Sequence, residues 1–223
     1  GPGLIYEPQD FGLAKTYLAR HQDIDLGSYA QISPDACFTA AQLLFSVNVQ
    51  PWLIGDKMSV IASALNPNGN GWWLGMDAQG GLSFCHNAVD GSPSQLDLAN
   101  ALQTKSWARI WAGYDAVASK LILGCEDLVT GKVQTISAST LLRPLPNSLP
   151  LILAARKSGP LSCEHFNGRL EDAAFYDGLN WAHAKPPKPR MAPHGALLAW
   201  WDFSIGIETQ SIIDVGPHGM SGR

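Results

Sequence analysis

Trp107-Ala108-Arg109-Ile110-Trp111-Ala112-Gly113-Tyr114 is the stretch from which the fold is read. Trp107, Arg109 and Trp111 fall on one side of it, and Ala108, Ile110, Ala112 and Tyr114 on the other. A period of two belongs to a strand, because successive side chains point to opposite faces of a sheet. Downstream, residues 121–123 and 133–136 are two further apolar runs joined through a turn signal near Thr130-Gly131. Upstream, residues 37–49 alternate in the same way. Cys37, Thr39, Ala41, Leu43, Phe45, Val47 and Val49 share a face there, and Pro51 ends the run. Residues 58–64 form another strand-like run, closed by Asn66-Pro67-Asn68-Gly69-Asn70-Gly71. Residues 72–76 and 82–86 are expected to pair as a hairpin through Asp77-Ala78-Gln79-Gly80-Gly81, whose glycines accept positive φ. Residues 151–155 and 170–176 complete the set, and only residues 94–103 read as a short helix or loop.

This spacing predicts an all-β, two-sheet antiparallel sandwich with Greek-key connections. The 223 residues fit one large domain of that class. A chain of this size buries roughly 70–75% of its unfolded surface, so neither metal nor disulfide is needed to hold the core. Only 15% of residues are charged, which argues against disorder. The formal charge of -4 and the lack of any basic run exclude nucleic acid as an expected partner. No apolar run approaches the roughly 20 residues needed to span a bilayer, so no membrane partner is expected. Cys37, Cys85, Cys125 and Cys163 match no CxxC pair and are expected as free, mostly buried thiols. Nothing calls for an oxidising compartment, and the expected location is cytoplasmic. Gly1-Pro2-Gly3 has the look of a cleaved-tag scar, which would place the natural N-terminus elsewhere.

Between residues 182 and 195 the composition turns to Pro, Lys and His. Lys185-Pro186-Pro187-Lys188-Pro189 cannot be a central strand, because each Pro removes a ladder donor, so this is a stiff, extended connector. Three domain spans follow: a sandwich over 1–181, a connector over 182–195, and residues 196–223 as a returning strand completing the same sandwich. The rival reading makes 196–223 the start of a truncated following domain.

Phe166-Asn167-Gly168-Arg169-Leu170-Glu171-Asp172-Ala173-Ala174-Phe175-Tyr176 resembles the last strand of laminin-G-like domains, F-x-G-x-I-D-D-V-R-x-Y. Glu171 stands in place of the first Asp and Ala174 in place of the Arg. The run from Trp107 to Asp115 is similar to W-x-x-V-A-x-x-Y-D of the same domains. Leu197-Leu198-Ala199-Trp200-Trp201-Asp202-Phe203-Ser204, followed by Ile213-Asp214-Val215-Gly216-Pro217-His218-Gly219, resembles their opening strand, W-x-F-D then D-x-S-G-N-G. The resemblance implies a concanavalin A/laminin-G-like jelly roll. Because the opening strand comes last here, it also implies a circular permutation. The tail from about residue 195 resembles the large-subunit family of bacterial N,N-dimethylformamidases. Those proteins join a laminin-G-like region to a glutamine-amidotransferase-like region that holds iron and hydrolyses the amide. On that resemblance this chain is a non-catalytic part of a larger protein, with the catalytic region beyond Arg223.

The residues themselves offer little chemistry. Glycosidases on related sandwiches set acidic residues two apart on one strand, placing the carboxyls about 5–5.5 Å apart. Glu7, Glu126, Glu164, Glu171 and Glu208 begin no such run, and adjacent Glu171 and Asp172 face opposite ways. There is no G-x-S-x-G elbow, Cys85 and His86 are strand neighbours facing apart, and the histidines show no metal spacing. A calcium site needs several oxygen ligands, and Asp77, Asn87, Asp90 and Asp115 are available but form no dense acidic loop. No catalytic residue, metal ligand or cofactor is expected, and the chain is not expected to be an enzyme.

Two functions remain. The first is a structural and interaction module whose partners are the rest of a parent polypeptide or a second subunit. The second is carbohydrate binding: Trp72 and Trp73 follow a polar glycine-rich loop and face opposite ways, so an exposed indole could stack on a sugar. His86, Asn87 and Asp90 would then be the polar contacts. The competing reading packs both tryptophans, one in each layer.

Overall fold

The computed structural model describes residues 29–158, 161–178, 185–203 and 213–222; Gly1-Pro2-Gly3 and the first part of the connector lie outside them. Among the described residues two six-stranded antiparallel sheets form. In spatial order the first holds β1 (Ala30–Asp35), β10 (Leu149–Leu153), β3 (Ser59–Leu65), β4 (Gly71–Met76), β5 (Leu82–Asn87) and β6 (Ser94–Leu98). The second holds β14 (Leu197–Trp201), β13 (Gly168–Asp177), β2 (Gln42–Pro51), β7 (Ala108–Asp115), β8 (Lys120–Asp127) and β9 (Val133–Ser139). A small hairpin of β11 (Arg156–Ser158) and β12 (Leu161–Cys163) stands apart from both.

Alternation decides which side chains meet between the sheets. Leu43, Phe45, Val47 and Val49 of β2, Ile110, Ala112 and Tyr114 of β7, and Leu121 and Leu123 of β8 point inward from the second sheet. Trp72, Leu74 and Met76 of β4, with Leu82 and Phe84 of β5, answer from the first. Phe175 on β13 is the meeting point. Its ring lies 5.1 Å from Phe38, 5.1 Å from Phe45, 6.0 Å from Trp72 and 5.9 Å from Trp201.

The expected hairpin across residues 77–81 is present, with Met76 opposite Leu82 and Gly71 opposite Asn87. Residues 94–103 depart from the reading as helix or loop. Their first half is β6, with Leu96 and Leu98 buried in the core and Gln95 and Asp97 exposed. The five-residue alternation is a strand signal too short to stand out beside the polar residues that follow it.

The connector is more than a spacer. Arg109, 3% exposed on the outer face of β7, reaches it with both terminal nitrogens of its guanidinium. It donates to the carbonyls of Pro186 at 2.6 Å and Pro187 at 2.7 Å, and to Ser46 Oγ and Tyr176 Oη at 3.2 Å each. Tyr176 Oη donates to the Pro187 carbonyl at 2.6 Å, and Lys185 pairs with Glu126 at 2.5 Å. Beneath lies a second apolar cluster of Leu44, Trp111, Ile122, Ala174 and Tyr176, against which Ala192, Leu197 and Trp200 pack. Trp111 lies flat on Gly124; a Cβ there would come within 2.2 Å of the indole, so only glycine permits the contact.

The far edge of the sandwich is closed by the tail. β14 pairs with β13, with Trp201 opposite Ala173 and Ala199 opposite Phe175. Asp214, 7% exposed, accepts the backbone N–H groups of Trp200 at 2.9 Å, Gly216 at 2.7 Å and Met220 at 2.6 Å. Trp201 Nε1 donates to the Met220 carbonyl at 2.7 Å, and Gly222 bridges to Ile32 on β1. One short segment therefore ties the edge strand of each sheet to the other.

Truncating the Asp214 carboxylate would orphan three N–H groups at once. Asp214→Ala is expected to lower stability by about 2–4 kcal/mol in urea denaturation. Asp214→Asn, which keeps one acceptor oxygen, should lose less. Equal stability of the alanine variant and the parent would show that this carboxylate does not hold the edge.

Candidate functional site

The five residues expected to form a ligand site do not share one accessible face: Trp72 and His86, directly opposite each other on β4 and β5, both turn inward. β4 sends Trp72 inward, where it is 0% exposed and its Nε1 donates to the Phe38 carbonyl at 2.7 Å. An indole packed between two sheets cannot stack on a sugar, so Trp72 belongs to the core. Trp73, one residue on, lies half-buried on the outer face, with its N–H toward the Cys85 sulfur. His86 on β5 also points inward, 2% exposed, its ring edge-on to Tyr114 at 4.7 Å. Asn87 is used locally, its side chain donating to the Gly69 carbonyl at 2.9 Å, and Asp90 is exposed in the loop beyond. Only Trp73, Asn87 and Asp90 remain accessible, and they lie on different elements.

Burial shapes the chemistry of the titratable groups. His86 is held neutral, its pKa lowered to about 4 by desolvation. Burial pushes the Cys85 thiol up to about 11 and the Cys125 thiol up to about 12. All four cysteines are free, with Cys85 and Cys125 buried and Cys37 and Cys163 half-buried. Thiols raised in this way are poor nucleophiles, because the thiolate is the reactive form.

Of the acidic residues considered for calcium, Asp77 and Asp115 hold turns. Asp77 Oδ1 accepts from the N–H groups of Gln79 and Gly81, both at 2.8 Å. Asp115 Oδ1 accepts from Val117 at 2.9 Å and Ala118 at 2.8 Å, while its Oδ2 accepts from Gln42 Nε2 at 2.8 Å. Among the described residues no group of three His, Cys, Asp or Glu side chains could hold a metal ion.

A shallow cleft of about 110 Å³ opens where the loop after β6 meets the turn between β8 and β9. Trp107 forms its aromatic wall, and Asn100, Gln103, Asp127, Lys132 and Gln134 its polar rim. Substrate pockets usually measure about 300–1,000 Å³, so this one holds at most a small polar group. The residue that sequence reasoning missed is Arg109. Its signal was a lone cation on a strand whose other residues are apolar, and such a cation is buried only with partners.

No family model matches the sequence. Two curated relatives do: the N,N-dimethylformamidase beta subunits of Paracoccus aminophilus, 24% identical over 251 aligned positions, and of Alcaligenes sp, 26% identical over 257. Each alignment covers 100% of this chain and 33% of the relative, so the chain spans about a third of their length. Among solved structures, tailspike protein 2 from Escherichia coli O157:H7 bacteriophage CAB120 superposes with TM-score 0.59 and 15% identity, covering 78% of this chain and 25% of the tailspike. The CBM40 of Ruminococcus gnavus IT-sialidase, bound to alpha2,3 sialyllactose, gives TM-score 0.54 at 14% identity, covering 68% and 89%. Domains LG4-5 of the mouse laminin alpha1 chain give 0.52 at 11%, covering 66% and 39%. The chain is an all-β jelly-roll sandwich of the laminin-G kind, and its sequence resembles the dimethylformamidase beta subunit along its full length. Among the described residues no helix is long and apolar enough to cross a membrane.

His86 supplies a test of the interior. Folding keeps it neutral down to about pH 4, while the unfolded chain protonates it near 6.5. The unfolded state therefore binds the extra proton between those values, and stability falls as pH drops through that window. The slope is about 1.4 kcal/mol per pH unit at its steepest. Urea denaturation at pH 7 and pH 5 should show a loss that shrinks in His86→Leu; an unchanged loss would mean that the imidazole is solvated in the fold.

Proposed function

We propose that this chain is a non-catalytic β-sandwich module of a larger protein built like the N,N-dimethylformamidase beta subunit. The carrying observation is that the relatives align with all of this chain yet extend to about three times its share. The side-chain geometry supports the same reading. Asp77, Asp115, Asp127 and Asp214 hold turns and Glu126, Glu164 and Asp202 sit in ion pairs, the buried thiols are raised, and the cleft beside Trp107 is small for a substrate pocket. Amide hydrolysis would then belong to the remaining two thirds of such a polypeptide, and this module would contact that part or a second subunit. The pairing of β14 with β13 supports reading residues 196–223 as completing the same sandwich, in permuted order, rather than opening another domain.

Carbohydrate binding stands second and rests on one observation, the half-exposed Trp73 indole. Without Trp72 and His86, which face the core, this reading lacks the convergent polar groups that orient a sugar.

Two assays separate the readings. The isolated chain should leave N,N-dimethylformamide unhydrolysed and a glycan array blank, in calcium and in EDTA alike. Excising residues 29–222 from the full polypeptide should abolish its assembly, read by light scattering, together with its turnover. Dimethylamine released by the isolated chain would overturn the module reading. Array binding lost in Trp73→Ala would put the carbohydrate role in its place.

A further inference from the structure

The two margins of the sandwich are treated differently. Strands β1 and β14 are tied together by the tail, whereas on the opposite margin β9 has β8 on one side and, among the described residues, no strand on the other. Exposed edges are usually blunted by Lys, Pro, a bulge, shortness or a covering loop. Among the described residues β9 carries none of these. Its seven residues, Val133-Gln134-Thr135-Ile136-Ser137-Ala138-Ser139, are uncharged and pair with β8 without a register shift.

The hydrogen-bond phase of that edge is fixed by the neighbouring turn. Asp127 N–H donates to the Lys132 carbonyl at 2.9 Å, and Thr140 N–H to the Ser119 carbonyl at 2.9 Å. In the register that pairs Cys125 with Gln134 and Leu123 with Ile136, the even-numbered residues of β9 therefore exchange bonds with β8. Val133, Thr135, Ser137 and Ser139 turn their N–H and C=O groups outward. Their side chains are exposed, while Gln134, Ile136 and Ala138 are half-buried, and Ile136 and Ala138 pack against the margin of the main core without being closed over.

We propose that β9 is a homodimer edge, at which a second copy of this chain adds antiparallel about a two-fold axis through Ile136. That register sets Thr135 opposite Ser137 of the second copy and Val133 opposite its Ser139, satisfying every outward donor and acceptor. Ile136 meets Ile136 of the second copy in the closer, non-hydrogen-bonded position, which completes the burial of the core margin. No charge in the strand faces a like charge. Twelve strands then run continuously through the two second sheets. An interface built on one strand lies at the small end of the range for specific contacts, so the dimer is weak and forms as concentration rises.

Sedimentation equilibrium of the full chain over about 5–500 µM is the test, this being the range in which small interfaces associate. The expected result is a monomer–dimer equilibrium, with amide exchange at Val133, Thr135, Ser137 and Ser139 slowing as the dimer fills. Thr135→Lys with Ser137→Lys places lysine opposite lysine twice, and should weaken the dimer at least about tenfold while circular dichroism and melting stay unchanged. Thr135→Lys with Ser137→Glu sets opposite charges at the same two positions and should restore association to within about threefold of the parent. A parent that remains monomeric throughout the range overturns the proposal. So does a dimer that survives the double lysine variant, or edge amides protected in the monomer, as an intrachain cover or another partner strand would make them.

Discussion

The ring of Phe175 is the contact on which the remainder depends. It sits on β13 between β2 and β14, and it touches aromatic rings from both sheets and from the turn that follows β1. Tilted and edge-on pairs at these separations add to the stabilisation from burial alone, by about 0.5–1.5 kcal/mol each. The cluster also carries polar handles. Trp72 and Trp201 each direct an indole N–H to a backbone carbonyl, Phe38 in one case and Met220 in the other. Positioning the rings thus positions the segments that cover the edge, and core packing and edge closure become one event.

Strand existence was legible because a period of two survives wherever one face is buried, as it does along residues 37–49 and 107–114. The hairpin at residues 77–81 was legible because a short loop with glycines that accept positive φ, set between two apolar runs, is a hairpin signal. Facing was harder. Alternation shows that Trp72 and Trp73 point opposite ways, but parity alone carries no sign, and the core took Trp72 and with it His86. The role of Arg109 was not legible either, since the groups that satisfy it are backbone carbonyls of Pro186 and Pro187, some 77 residues away in sequence. A carbonyl leaves no mark on side-chain pattern. Strand limits moved for a local reason as well: Ala154 takes φ of +67°, which ends β10 two residues before the apolar run does.

The acidic residues explain why composition said so little about function. Asp77, Asp115, Asp127 and Asp214 each accept from two or three nearby backbone N–H groups. A short carboxylate at the end of a strand mimics the next peptide carbonyl and holds the turn. Much of the modest negative charge is therefore architectural. The resemblance of the tail to an opening strand has the same root, because Asp214 followed by glycines is what that closing turn requires.

The tail that laces β1 to β14 has a consequence for synthesis. Cys37 touches Met220 across 183 positions, and Ile32 bridges to Gly222. A nascent chain that has emerged only as far as the connector can pair most strands of both sheets, yet it still presents Phe38 and Phe175 without the ring of Trp201. Contacts so distant in sequence are slow to form, because the loop must close before they repay its entropy. At about 5–20 residues per second of translation, the partly built sandwich stays open for seconds. During that interval its aromatic centre is a surface for chaperones, and the fold locks only when its last strand arrives.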